Sequence, residues 1–190
     1  MEAIPNIDGH PIGGRNSSSR SKAPLDPFGR RYVRRLWQTE SGPQEGVGGG
    51  QMLEVLVHAH LLVPKGIVLN KEAHREFLEQ SDLLEDLRAQ PESQEDPALR
   101  APRICLSHRA STIKGELNRA ICDALIGLGS PSVAVVSESL IARHLRSIPE
   151  VKNAVKKAWL TLEGLKDQLE AVSHGGEIPT WPVLILAEEA

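Results

Sequence analysis

The chain has 190 residues, with 22 Lys and Arg against 25 Asp and Glu and a formal net charge of −3. That balance excludes a wholesale basic coat for nucleic acid and leaves room only for a local patch. Hydrophobic content of 40% suffices for one core, and aromatics at 3% mean that Leu, Val, Ile and Ala must build it.

Residues 1–50 read as a flexible arm, dense in Gly, Pro and Ser, with SSSRSK at Ser17–Lys22 and GVGGG at Gly46–Gly50 as a hinge. The glycine run is not a phosphate loop: no strand precedes it, no Lys-Ser/Thr follows at the required spacing, and no GxGxxG occurs. Within the arm, Phe28–Trp37 reads FGRRYVRRLW. As a helix it would set Phe28, Tyr32, Val33, Leu36 and Trp37 on one side and Arg30, Arg31, Arg34 and Arg35 on the other. Guanidinium forks suit phosphates, and Tyr32 or Trp37 could stack on a base or sit at a lipid interface. The expectation is therefore a contact to an anionic partner, nucleic acid or acidic membrane surface, through Arg30, Arg31, Tyr32, Arg34, Arg35 and Trp37. The alternative docks the aromatics on the body and leaves the arginines in solvent.

Residues 51–190 read as one globular, α-rich domain. Gln51–Val63 alternates Leu53, Val55, Val57 and Ala59 with Glu54, Leu56, His58 and His60, which predicts a strand, with a helix as the alternative. The turn Pro64-Lys65-Gly66 and a returning strand Ile67–Leu69 would complete a β-hairpin. Asn70 caps a helix over residues 71–88, with Phe77, Leu84 and Leu87 inward and Ser81-Asp82 as a dividing point. Residues 90–102 read as a polar, proline-punctuated loop and 103–107 as a short strand. Ser111 is the expected cap of a helix reaching Leu128, ended by Gly129. Val133–Val136 fits strand or helix equally. Ser137 is the expected cap of a helix over 138–146. Residues 178–186 predict an extended terminal segment that Pro179 and Pro182 confine to an edge or to irregular packing.

The strongest periodicity lies at 147–172. Val151, Val155, Ala158, Leu162, Leu165, Leu169 and Val172 follow gaps of four and three, a heptad seam on one continuous helix. Ser147, Pro149 and Glu150 supply its start as a capping box. Lys152, Lys156 and Lys157 precede Glu163, Asp167 and Glu170, an order that opposes the helix macrodipole. The seam must then be buried, either against helices of the same chain or against a second, antiparallel copy.

No GxSxG, HExxH, paired CxxC, EF-hand or Walker pattern occurs. His58 and His60 would share one strand face, but no further ligand stands at recognisable spacing, so no metal site, cofactor or catalytic residue is expected. Cys105 and Cys122 do not make a secreted disulfide framework. No signal-peptide pattern or membrane-length apolar run is present, and a soluble intracellular protein is expected. The fold expectation is α+β, predominantly α-helical: a small helical bundle with a β-hairpin and a C-terminal extended segment after the arm. The functional expectation is a non-catalytic assembly protein, structural or adaptor in kind. It would form a homo-oligomer, bind protein partners and touch the anionic partner. Two alternatives stand beside it: a nucleic-acid-binding regulator with a helix-turn-helix at 132–157, and an enzyme of an unrecognised family.

Overall fold

A computed structural model describes residues 29–36, 64–89 and 96–188. The fold is α+β and helix-dominated, built on one antiparallel sheet. The elements in chain order are α1 (Gly29–Tyr32), β1 (Val33–Arg35), β2 (Gly66–Leu69), α2 (Lys71–Gln80), α3 (Leu83–Arg88), α4 (Pro97–His108), α5 (Gly115–Leu128), β3 (Ser132–Val136), β4 (Ile141–Leu145), α6 (Ile148–Trp159), α7 (Leu162–Ser173) and β5 (Val183–Glu188). The strand order is β1-β2-β5-β3-β4, with every neighbour pair antiparallel.

The chain's local chemistry explains most boundaries. Asn70 accepts the Ala73 N–H at 3.0 Å and opens α2. Asp82, in the left-handed region at φ 58°, separates α2 from α3 at the expected dividing point. Gly129 ends α5 at φ 64°, where a Cβ would be strained. Ser147 and Glu150 form the expected capping box at α6. The N–H groups of Arg146 and Ser147 hold the Glu150 carboxyl below its usual range.

Several expectations are corrected. Residues 97–108 form a helix, where a loop to 102 and a strand over 103–107 were expected. Asp96 caps it by accepting the Ala98 N–H at 2.8 Å, and Pro97 occupies the first turn, where no N–H partner is lost. The next helix starts at Gly115, so Ser111 is not its cap. Residues 141–145 are strand β4, not helix, and β3 with β4 makes the hairpin of this fold. The expected returning strand at 67–69 exists as β2, but β1 takes one of its edges and β5 the other. The alternating stretch at 51–63 lies outside the described residues. Residues 183–188 form the central strand, not an edge; Pro179 and Pro182 precede it, so no ladder hydrogen bond is lost.

The seam at 147–172 is not one helix. Thr161 accepts the Gly164 N–H at 3.2 Å and starts α7 afresh. Val151, Val155 and Ala158 on α6 and Leu165 and Leu169 on α7 all enter the main core of this chain. Leu162 stands 48% exposed and Val172 is half-buried. The seam is therefore internal packing.

The sheet's two faces differ. Ile67, Leu69, Val133, Val135, Val183 and Ile185 point to the main core, where the buried residues of α2 to α7 meet them. Val68, Leu184 and Leu36 form a second apolar cluster on the opposite face, with Val136 and Leu186 beside them. Among the described residues, no helix is long and apolar enough to cross a membrane.

Candidate functional site

Residues 28–37 do not form one amphipathic helix. Val33 turns the chain from a single helical turn into β1, which pairs Val33 with Leu69 and Arg35 with Ile67. β-branched Val33 suits the pleat, and strand period two then sends alternate residues to opposite faces. Arg35 points to the helix side, where its guanidinium lies 2.8 Å from the position of a Cβ at Gly127, near the C-terminus of α5. Arg34 is paired with Val68 and belongs to the other face. Tyr32 is 1% exposed, and its hydroxyl donates to Glu76 at 3.0 Å. Burial and that hydrogen bond raise the phenol pKa. Tyr32 is thus a core residue, unavailable for stacking on a base. Arg31 is exposed, with its guanidinium 5.1 Å from the Tyr32 ring centre. Arg30 lies in the same helical turn, and Trp37 falls outside the described residues.

The outward side of α4 carries a second surface. Leu99 and Leu106, seven residues apart, are each 68% exposed, with exposed Arg103 between them on the same stripe. The opposite side of α4 buries Ala101, Ile104 and His108 against the body. Heptad spacing, read at 147–172 as a seam to be buried within the chain or against a second copy, thus also appears on the outside at 99–106. A seven-residue repeat of only two leucines falls below what periodicity alone can single out.

Sequence reasoning also missed a buried aromatic cluster. His74 is 0% exposed and stacks on Trp159 at 5.2 Å with planes 4° apart. Trp181 lies 5.5 Å away, and its backbone N–H donates to His74 Nδ1 at 2.9 Å. Since Nδ1 accepts, the ring proton sits on Nε2, which is buried without a partner among the described residues. Burial pushes the His74 pKa down to about 3. The available signal was its position: Ala73, His74, Phe77 and Leu78 share one helical stripe, and all four are buried.

Beside Trp181 lies a cleft of about 400 Å³, with Lys71, Ser137, Glu138, Glu163 and Asp167 on its walls. Its carboxylates do not converge: among the described residues, no group of three His, Cys, Asp or Glu side chains could hold a metal ion. A hydrogen-bonded chain elsewhere resembles a proton relay in outline. Asp86 Oδ2 lies 2.6 Å from His108 Nε2, and Ser111 Oγ lies 3.4 Å from His108 Nδ1. Lys156 Nζ donates to the carbonyls of Arg109 and Ser111 and fixes the turn behind it. The bond to Asp86 ties α3 to the end of α4, and the cleft beside Trp181 does not reach it. We read it as a tether between those helices.

The expected helix-turn-helix at 132–157 is overturned, because its first half, residues 132–145, forms the β3–β4 hairpin. Neither protein-family models nor curated proteins give a match to this chain.

Proposed function

We propose that this protein is a non-catalytic assembly protein that associates with copies of itself through the outward stripe of α4 and touches an anionic partner through the turn before β1. The single observation that carries the reading is the exposure of Leu99 and Leu106, 68% each, on one side of a helix whose other side is fully packed. Two leucines a heptad apart are self-complementary. A two-fold axis across α4 sets Leu99 of one copy against Leu106 of the next. With the seam internal, this stripe offers two exposed leucines on one helical face to a second copy. Leu99→Ser with Leu106→Ser is expected to lower the mass seen by sedimentation or light scattering from oligomer to monomer at tens of micromolar, with the unfolding midpoint little changed. A native chain that is already monomeric at that concentration removes the assembly reading.

The anionic contact narrows to Arg30 and Arg31. What supports it is the solvent exposure of Arg31 and the shared helical turn; the partner is nucleic acid or an acidic membrane surface. Replacing both by Ala is expected to weaken binding to RNA, DNA or anionic liposomes several-fold and to flatten its salt dependence. Binding that is unchanged, or absent in the native chain, eliminates this contact.

A further inference from the structure

We infer that the cleft beside Trp181 binds a linear aliphatic diamine or polyamine, a function that goes beyond the assembly reading and does not rest on it. The cleft measures about 400 Å³, within the range of roughly 300 to 1,000 Å³ usual for small-molecule sites. Three residues on its walls are carboxylates, Glu138, Glu163 and Asp167, against a single cation, Lys71, among the described residues. That field favours a positively charged ligand. The start of α7 reaches the cleft at Thr161 and Gly164, but it holds no open cradle for an anion at that point, since the Gly164 N–H is already donated to Thr161 Oγ1 at 3.2 Å.

The spacing of the carboxylates decides the shape of the cation. They do not gather into a group that could hold a metal ion. Glu163 and Asp167 are four residues apart on α7, which puts their Cβ atoms about 6 Å apart on one helical face. Glu138 comes from a different element, the turn between β3 and β4. Two hydrogen bonds close that turn: the Ser137 N–H donates to the Leu140 carbonyl at 2.8 Å, and Ser137 Oγ accepts the Leu140 N–H at 3.1 Å. Negative charge is thus spread along the walls. A point ion cannot use such an arrangement; ammonium groups separated by methylenes can.

Trp181 supplies the surface for those methylenes. It is half-buried, whereas Trp159 behind it is 0% exposed. Its N–H donates to His74 Nδ1 at 2.9 Å, and its carbonyl accepts the Trp159 Nε1–H at 3.1 Å. Its ring lies against α7 because residue 164 is glycine; a Cβ there would come within 3.2 Å of the ring. An indole fixed in this way gives an alkyl chain an apolar face and attracts an ammonium within about 6 Å of the ring centre. It also has little side-chain freedom left to lose on binding.

The test is a titration of the ¹⁵N-labelled full-length chain with 1,4-diaminobutane and with spermidine, read at the amide and indole N–H resonances. Both amines should bind saturably, with half-saturation below about 1 mM. The largest shifts should fall at Ser137–Ser139, Glu163–Asp167 and Trp181. Butylamine, with one ammonium, should bind about 10-fold more weakly. The uncharged 1,4-butanediol should leave the spectrum unchanged. Glu163→Gln with Asp167→Asn, and separately Glu138→Gln, should each weaken diamine binding several-fold; all three positions are exposed, so the fold should survive. Glu170→Gln, on the same helix but off the cleft, should change nothing. If a variant fails to fold, the ranking of the amines on the native chain decides. The inference is overturned by no saturable shift up to about 10 mM amine, by equal binding of butylamine and diaminobutane, or by shifts spread over acidic surfaces away from the cleft. Affinity indifferent to the three carboxylates overturns it too. So does a lysine-bearing peptide that shifts the same residues at far lower concentration than either amine, which makes a protein chain the ligand.

Discussion

The free energy of unfolding is expected to fall steadily as pH drops below 6.5, with His74 as the largest single cause above pH 4.5. Its ring is fully buried and its pKa lies near 3, against an ordinary value of 6.5. Between those values the unfolded chain takes up a proton that the folded chain refuses, so stability is fully present above pH 6.5 and drains away towards pH 3. The slope for one proton is about 1.4 kcal/mol per pH unit, so roughly 2 to 3 kcal/mol is lost by pH 4.5. The structural reason is specific. Protonating Nδ1 removes the acceptor of the Trp181 N–H and puts a charge between two indoles, with no carboxylate facing it among the described residues. Glu150 and Glu188 act lower on the scale. Both are held below the ordinary carboxylate value of 4.5, so their contribution is present above that value and is lost beneath it. For Glu188, burial alone would raise the pKa; the His144 N–H and the Arg143 guanidinium outweigh it. The test is urea unfolding of the native chain and of His74→Asn between pH 7.5 and 4.5. Asparagine keeps an acceptor near the Nδ1 position and does not titrate. The variant should start lower and lose about one proton's worth less stability over that range. Identical slopes for the two chains would remove His74 as the cause.

Some start and stop signals were legible because each depends on a few adjacent residues, whereas Ser111 and Ser137, read as caps in the same way, begin no helix. Asn70, Ser147 with Glu150, and Gly129 did what their chemistry requires. Long-range pairing was less legible. Leu140, Ile141 and Leu145 suit a helix on spacing alone, yet 141–145 is strand, because β3 offers it a partner and a bulge between Val133 and Val135 takes up the mismatch. The bulge turns His144 to φ 57°, where Glu188 Oε2 accepts its N–H at 2.7 Å. That irregular, charged edge also resists pairing with another sheet. The arginine element misled for the same reason: only contact with β2 makes Val33–Arg35 a strand. At 147–172 the heptad count is blind to a break, since α6 and α7 keep the phase on either side of it. What it leaves out is Trp159 and Leu160, which lie off the seam and would face outward on one long helix. Ending α6 at Trp159 lets both go inside, at 0% and 8% exposure.

That burial makes Trp159→Ala the most damaging single substitution expected here. The indole stacks on His74, tilts against Phe77 at 5.4 Å, and donates Nε1–H to the Trp181 carbonyl at 3.1 Å. Truncation would open a cavity between α2, the end of α6 and the segment leading into β5, at a cost of about 3 to 5 kcal/mol. It would also orphan the Trp181 carbonyl, adding on the order of 1 kcal/mol. Against a typical total of roughly 5 to 15 kcal/mol for a domain, that is enough to leave a marginal chain largely unfolded at 37 °C. Trp159→Phe separates the two contributions, because it keeps an aromatic ring and loses the donor; about 1 to 2 kcal/mol is expected. Far-UV circular dichroism should follow the urea transitions, since fluorescence would change with the indole itself. The damage should also be directional. Trp181 is gripped by Trp159 at its carbonyl, by His74 at its N–H, and by Gly164, where a Cβ would come within 3.2 Å of the ring. Losing the first grip loosens the start of the central strand, so amide exchange in Val183–Ile185 should accelerate more than in β4. A cost below about 1.5 kcal/mol for Trp159→Ala would mean that the cluster is peripheral and that the sheet holds β5 without it.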